Sequence, residues 1–301
     1  MKKDKHLLLI DGMALLFRSF YATAVTGQFM INSKGTPTNA IQGLMKHLLT
    51  AVDKIQPTHT AVCWDMGSAT FRNELYTEYK ANREAPPVEM IPQFDLAKEV
   101  VGAFRFPNIG LVGYEADDCI GTIAKKVQDA KITILTGDKD LLQLLDNNID
   151  VLILQKGFGN YKWYTHEVFE EEKGITPEQF IDVKALMGDP SDGYPGVKGI
   201  GEKTAMKLIQ EFEHIEGIIE NIQQLTPGQK KKLEADMEML HLSRQLAKIH
   251  CEVPLEFTLE QAIWKEIPDD GHEMIETLEL KALRRFIVQN QGFNNQKVID
   301  F

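Results

Sequence analysis

The chain has 301 residues, 43% of them hydrophobic and 26% charged, which reads as an ordinary soluble globular protein with enough chain for one large domain or two smaller ones. Its net charge of −11, from 33 basic and 44 acidic residues, argues by itself against a nucleic-acid partner, unless part of the acid is neutralised by bound metal. No apolar stretch approaches the length of a membrane span, and the N-terminus reaches Asp11 too soon for a secretory apolar segment, so a cytoplasmic location is expected.

Residues 6–10 form an apolar run ended by Asp11-Gly12, followed by a helical stretch that carries Arg18. Residues 60–64 form a second run, ended by Asp65. Short apolar runs closed by turn signals suit buried strands of a parallel sheet. Cys63 lies in the second run and Cys119 at a helix start; with Cys251 they form no CxxC pair and read as structural. At 71–83 the sequence Phe-Arg-Asn-Glu-Leu-Tyr-Thr-Glu-Tyr-Lys-Ala-Asn-Arg alternates basic, aromatic and acidic residues, with prolines at 86, 87 and 92. A solvated amphipathic helix is one reading; a mobile cap carrying phosphate-binding side chains is the other.

Glu-Ala-Asp-Asp at 115–118 opens a helix whose apolar positions Ile120, Ile123, Ala124 and Val127 repeat at i, i+3, i+4 and i+7. Acids there suit the helix dipole, so capping is one account of them and convergence on a cation another. Residues 132–135 form a third run, ended by Thr-Gly-Asp-Lys-Asp at 136–140, and Leu141, Leu142, Leu144 and Leu145 predict a further helix. Residues 151–154 form a fourth run. Alternating strands and helices imply an α/β sheet, whose ligands bind beyond the C-terminal strand ends.

After about residue 170 the chain reads as helical, and it is expected to pack back on the first part. Gly-Asp-Pro-Ser-Asp at 188–192 is turn-forming and brings two more acids. Gly-Val-Lys-Gly-Ile-Gly-Glu-Lys-Thr at 196–204 fails the phosphate-loop pattern of nucleotide hydrolases because Glu202 separates Gly201 from Lys203. It reads instead as a helix-hairpin-helix turn, with Gly199 and Gly201 allowing close approach of a phosphate and Lys198 and Lys203 adding charge.

Nine acids are thus ordered along the chain: Asp11, Asp65, Glu115, Asp117, Asp118, Asp138, Asp140, Asp189 and Asp192. Carboxylates packed together repel and hold protons, and divalent cations with oxygen ligands relieve that repulsion. No histidine sits in these motifs. A small-molecule phosphohydrolase using Asp11 as nucleophile would want a second Asp two residues later, where Met13 stands.

On these motifs the chain resembles the 5′-nuclease family, that is flap endonucleases and the 5′→3′ exonuclease domain of bacterial DNA polymerase I. The resemblance is carried by Leu-Leu-Ile-Asp-Gly at 8–12, Phe-Arg at 71–72 with Glu-Tyr-Lys-Ala-Asn-Arg at 78–83, Tyr-Glu-Ala-Asp-Asp at 114–118, Leu-Thr-Gly-Asp-Lys-Asp at 135–140, Met-Gly-Asp-Pro-Ser-Asp at 187–192 and the hairpin motif from Pro195. It implies an α/β nuclease (PIN-like) domain at 1–170, with a mostly parallel central sheet and a helical arch at about 70–95, and a helical helix-hairpin-helix region at 171–301 packed on it. It implies one metal site at Asp11, Asp65, Glu115, Asp117 and Asp118 and a second at Asp138, Asp140, Asp189 and Asp192, holding two Mg²⁺ with Mn²⁺ as a substitute. Lys80 and Arg83 would face the scissile phosphate, with Arg18 below. Gly196, Lys198, Gly199, Gly201, Lys203 and Thr204 would grip duplex DNA and bind K⁺ through main-chain carbonyls.

The implied activity is a structure-specific 5′→3′ exonuclease and flap endonuclease, a two-metal phosphodiester hydrolase of replication and repair. It would act as a monomer on DNA flaps, nicks or RNA primers, in the bacterial cytoplasm at the nucleoid. The alternative is a non-catalytic, structure-specific DNA-binding protein. With the chain ending at Phe301 there is no room for a polymerase, so a standalone enzyme is expected. Gly193 departs from the family pattern, which often has Asn there, and is expected to alter loop stiffness or a hydrogen bond without removing an acid. Residues 255–301 carry no readable motif.

Overall fold

The computed structural model describes residues 5–290; the final residues 294–301, part of the stretch without a readable motif, lie outside them. A six-stranded sheet runs in the order β3 (Asn108–Ile109), β2 (His59–Cys63), β1 (His6–Asp11), β4 (Lys131–Thr136), β5 (Ile149–Leu154) and β6 (Tyr161–Tyr164). The first five are parallel and β6 is antiparallel to β5. The four apolar runs are β1, β2, β4 and β5. Neither the two-residue β3 nor β6 was predicted, and β6 reads Tyr-Lys-Trp-Tyr, an edge strand with no continuous apolar run.

The helices are α1 (Gly12–Ala24), α2 (Asn39–Ile55), α3 (Phe71–Leu75), α4 (Ile91–Ala103), α5 (Ala116–Lys126), α6 (His166–Lys173), α7 (Gln179–Met187), α8 (Glu202–Phe212), α9 (Ile215–Glu220), α10 (Pro227–Ala235), α11 (Met237–Ala247), α12 (Asp269–Thr277) and α13 (Lys281–Gln289). The segment after Thr136 makes a 3₁₀ turn at Asp140–Leu144 rather than the predicted α-helix. Side chains alternate across the strands, so Leu7 and Leu9 enter one core and Leu8 and Ile10 the other. The first core is continuous from the sheet through α5 into α7, α8 and α11, which is how the helical part packs back on the sheet. The second lies on the sheet's other face, under α1, α2 and α4, and α12 and α13 join it by packing against α4 and α2. Each fully buried Leu or Ile contributes roughly 2 kcal/mol.

Two elements differ from expectation. The α6 helix spans the boundary drawn near residue 170. The arch expected at 70–95 is helical only at its ends, α3 and the start of α4; residues 76–90 run through turns and irregular chain. Among the described residues no helix is long and apolar enough to cross a membrane.

Candidate active site

Several of the acids are fixed in place by backbone amides. Asp11 ends β1 and caps α1, accepting from the Ala14 amide at 2.9 Å, while its other oxygen accepts from the Thr136 hydroxyl at 2.7 Å. Thr136 ends the neighbouring strand β4 and accepts from the Asp138 amide at 2.9 Å; Asp138 in turn accepts from the Asp140 amide at 2.8 Å. Asp65, just beyond β2, accepts from the Ala116 amide at 2.7 Å and so holds the start of α5 against the sheet. Asp189 follows Gly188 at the end of α7 and is folded into a tight loop by the Ser191 amide at 2.8 Å.

An open cleft of about 690 Å³ is lined by Asp11, Asp65, Glu115, Asp117, Asp138, Asp140 and Asp189, together with Arg18, Lys80, Arg83, Lys139 and Lys184. Seven of the nine predicted acids therefore face one space at the C-terminal edge of the parallel strands. Burial raises the Asp11 and Asp140 carboxyls to about 7 and pushes Asp117 well up, with neighbouring acids adding to each shift. Among the described residues no three of these groups are drawn into a ready-made ligand cage. The protein's own cations stand among them instead.

Lys80 Nζ lies 2.6 Å from Glu115 Oε1, and Lys184 Nζ lies 2.8 Å from Asp140 Oδ1 and also bonds Asp189. Burial works against charge on both lysines, but the carboxylates outweigh it and hold their affinity for a proton above the ordinary lysine value. Lys184, on α7, was not singled out from the sequence; its only signal was a lysine among apolar neighbours, five residues before Asp189.

Asp192 stands outside the cleft lining. Arg83 holds it at 2.7 Å and the Tyr79 hydroxyl at 3.2 Å, and that hydroxyl also reaches Glu115 at 3.3 Å. Lys80 adopts a left-handed φ of 56°, and its amide donates to the Asp192 carbonyl at 2.8 Å. The cap is thus laid on the acid loop. Gly193 makes that contact possible: its φ is 77°, and a Cβ there would lie 2.8 Å from the Glu78 carbonyl oxygen. Arg18 also lines the cleft and donates to the Gln155 carbonyl.

Asp118 does not line the cleft. It is fully buried, and both oxygens are taken: Arg72 binds them at 2.8 and 2.9 Å, with the Glu115 and His250 amides at 3.0 and 2.9 Å. Each oxygen thus accepts two hydrogen bonds from within the protein.

In the hairpin, Lys198, Gly199, Gly201 and Lys203 are exposed and Thr204 partly so. Gly199 has a φ of 81°, which favours glycine, and α8 starts at Glu202 with no side-chain cap. Gly196 is placed differently. It is buried, its amide donates to Ser243 Oγ at 3.2 Å, and a Cβ on it would lie 2.3 Å from the Gly188 nitrogen. It joins the hairpin to the acid loop and does not face outward.

Carboxylates gathered beside basic side chains at the edge of a parallel sheet serve phosphodiester hydrolysis, which puts the chain among the nucleases. The family model described as 5′-3′ exonuclease, N-terminal resolvase-like domain, matches residues 6–174, and the model for the 5′-3′ exonuclease C-terminal SAM fold matches 175–270. A 5′-3′ exonuclease of Bacillus subtilis (strain 168) is 56% identical over 285 residues, covering 94% of this chain and 96% of that protein. A DNA polymerase I of Lactococcus lactis subsp. cremoris is 42% identical over 88% of this chain, but this chain spans only 31% of that polymerase. Among solved structures, a bacteriophage T5 flap endonuclease variant complexed with DNA and metal ions superposes with a TM-score of 0.63 at 24% identity, covering 97% of this chain and all of that one. The catalytic core of Rad2 with a DNA substrate does so at 0.60 and 16% identity, covering 95% of this chain and 92% of that one. These two share the fold. The chain belongs to the 5′-3′ exonuclease family.

Proposed function

We propose that the protein is a divalent-metal-dependent 5′→3′ exonuclease and flap endonuclease that cuts DNA near free 5′ ends at flaps and nicks, and RNA primers paired to DNA. One observation carries the metal part: seven acids share one cleft, and burial with mutual repulsion has raised the proton affinity of three of them. Such a donor set, all oxygen and short of positive charge, fits Mg²⁺. Asp11, Asp65, Glu115 and Asp117 would hold one ion; Asp138, Asp140 and Asp189, with Asp192 once Arg83 lets go, would hold a second. Held there, such ions would make water a better nucleophile at neutral pH and would offset charge at the scissile phosphate.

The chain's own residues do the rest. Lys80 and Arg83, released from Glu115 and Asp192, neutralise the scissile phosphate from the cap side, and Arg18 does so from the cleft lining. Lys198, Lys203 and the uncapped start of α8 hold duplex backbone, with Gly199, Gly201 and Thr204 leaving it room to approach. Backbone is read there and sequence is not, so selection rests on substrate shape. The residues before about 170 carry the chemistry in this reading, and the helices after it the grip. K⁺ fits the hairpin less well, because the Gly199 carbonyl already accepts from Lys232 Nζ at 2.8 Å. The T5 and Rad2 complexes with DNA support a DNA substrate, and the metal-bound T5 structures support metal use. A bacterial cytoplasmic setting accords with the Bacillus relative.

The test is cleavage of a 5′-labelled flap duplex by purified protein with Mg²⁺ or EDTA. Release of the flap near its junction, abolished by EDTA and by Asp138→Ala, is expected. Tight binding without cleavage would leave a structure-specific DNA-binding protein.

A further inference from the structure

Arg72 is the most enclosed cation around the site, with a side chain only 3% exposed. Four of its five N–H groups make hydrogen bonds. Nε binds the Leu246 carbonyl at 3.0 Å, Nη2 the Lys248 carbonyl at 2.9 Å, and the two Nη atoms grip the two oxygens of Asp118. Asp118 passes the constraint on, since its carboxylate accepts from the Glu115 and His250 amides. Three separate stretches meet at this pair: the base of the cap in α3, the acid-bearing start of α5, and the chain leaving α11. Arg72 Nη1 also stands 3.7 Å from Glu115 Oε2, on the side away from Lys80.

We propose that Asp118 acts with Arg72 as a positioning pair, holding the backbone at 115–118 so that Glu115 and Asp117 are aimed into the cleft, and that it binds no metal itself. The Glu115 amide, fixed by Asp118, and the Ala116 amide, fixed by Asp65, are consecutive, so the first turn of α5 is pinned from two sides. A carboxylate with four strong donors has nothing left to offer a cation, whereas Asp117, one residue earlier, lines the cleft. The bidentate geometry is available to arginine and not to lysine. This rests on the metal reading above.

The experiment is calorimetric titration of DNA-free protein with Mn²⁺, paired with steady-state cleavage of a flap duplex. For Asp118→Asn the expected result is the parent's number of bound ions, with affinity weaker by about tenfold, a lower kcat and an unchanged KM for the duplex. Asp117→Asn should lose an ion. Arg72→Lys, which keeps the charge but not the fork, should match Asp118→Asn and serves in its place should circular dichroism show that variant unfolded. Loss of an ion in Asp118→Asn would make Asp118 a ligand and overturn the proposal. Parent-like affinity and kcat in both pair variants would equally overturn it. Failure of the parent to bind Mn²⁺ would overturn the metal reading itself and this proposal with it, which separates the two failures.

Discussion

The Lys80 ammonium sits 2.6 Å from Glu115, a carboxylate of the cleft lining. A cap residue thereby holds charge that a metal ion would otherwise balance. Lys80→Met is expected to move binding and catalysis in opposite directions. Mn²⁺ affinity of the DNA-free protein should rise about threefold, because one competing cation is gone. Single-turnover cleavage of a flap should fall about 100-fold, because a group facing the phosphate is gone too. Weaker Mn²⁺ binding with unchanged cleavage would contradict the arrangement.

Lys184 plays the corresponding part on the other side, between Asp140 and Asp189 with its side chain 10% exposed. Removing one partner of a buried pair leaves uncompensated charge, so Lys184→Met should lower the stability of metal-free protein by about 3 kcal/mol in urea. Added Ca²⁺ should recover much of that loss. A loss of the same size with and without Ca²⁺ would mean that no cation can take the ammonium's place.

Acidity should stabilise the metal-free protein. Asp11 and Asp140 bind their protons up to about pH 7 in the folded state, through burial first and acid neighbours second, but only to about pH 4 when unfolded. The folded state therefore holds more protons across that interval, and stability falls as pH rises through it. Thermal melting in EDTA should give a lower Tm at pH 8 than at pH 5.5, and saturating Mg²⁺ should reduce the difference. A Tm that rises over this range in EDTA would be incompatible with these shifts.

Lys198 and Lys203 are exposed on the hairpin, away from the acids. Replacing either by Ala should weaken duplex binding equally for unrelated sequences and lower the slope of log K against log salt by about 1. Binding measured by anisotropy in Ca²⁺ at several salt concentrations checks this. An unchanged slope would remove the residue from the interface.

Strands β1, β2, β4 and β5 were legible because burial on both faces forces a continuous apolar run, and Asp11, Asp65 and Asp138 were legible because they lie at or just beyond the ends of such runs. The cap was not. Its path is set by Arg83 on Asp192 and by the Lys80 amide on the Asp192 carbonyl, contacts between residues more than 100 positions apart that leave no local pattern. Asp118 and Asp117 are indistinguishable as letters; a buried arginine 46 positions away separates their roles. Gly196 looked like its neighbours Gly199 and Gly201, yet its absent Cβ admits Gly188 rather than anything from outside.

That contact between Gly188 and Gly196 has a mechanical result. Both take positive φ, and a Cβ on Gly188 would lie 2.4 Å from the Pro195 carbonyl carbon. With the Val197 amide on the Leu186 carbonyl at 2.9 Å, the acid loop and the hairpin are one stiff bracket. In the proposed function, a duplex seated at one end would meet the carboxylates at the other at a fixed offset, and the bracket would work as a gauge. Fragment length is then a property of the enzyme's geometry, and variants that shift the cut by a nucleotide belong in this bracket or in the cap, not among the acids.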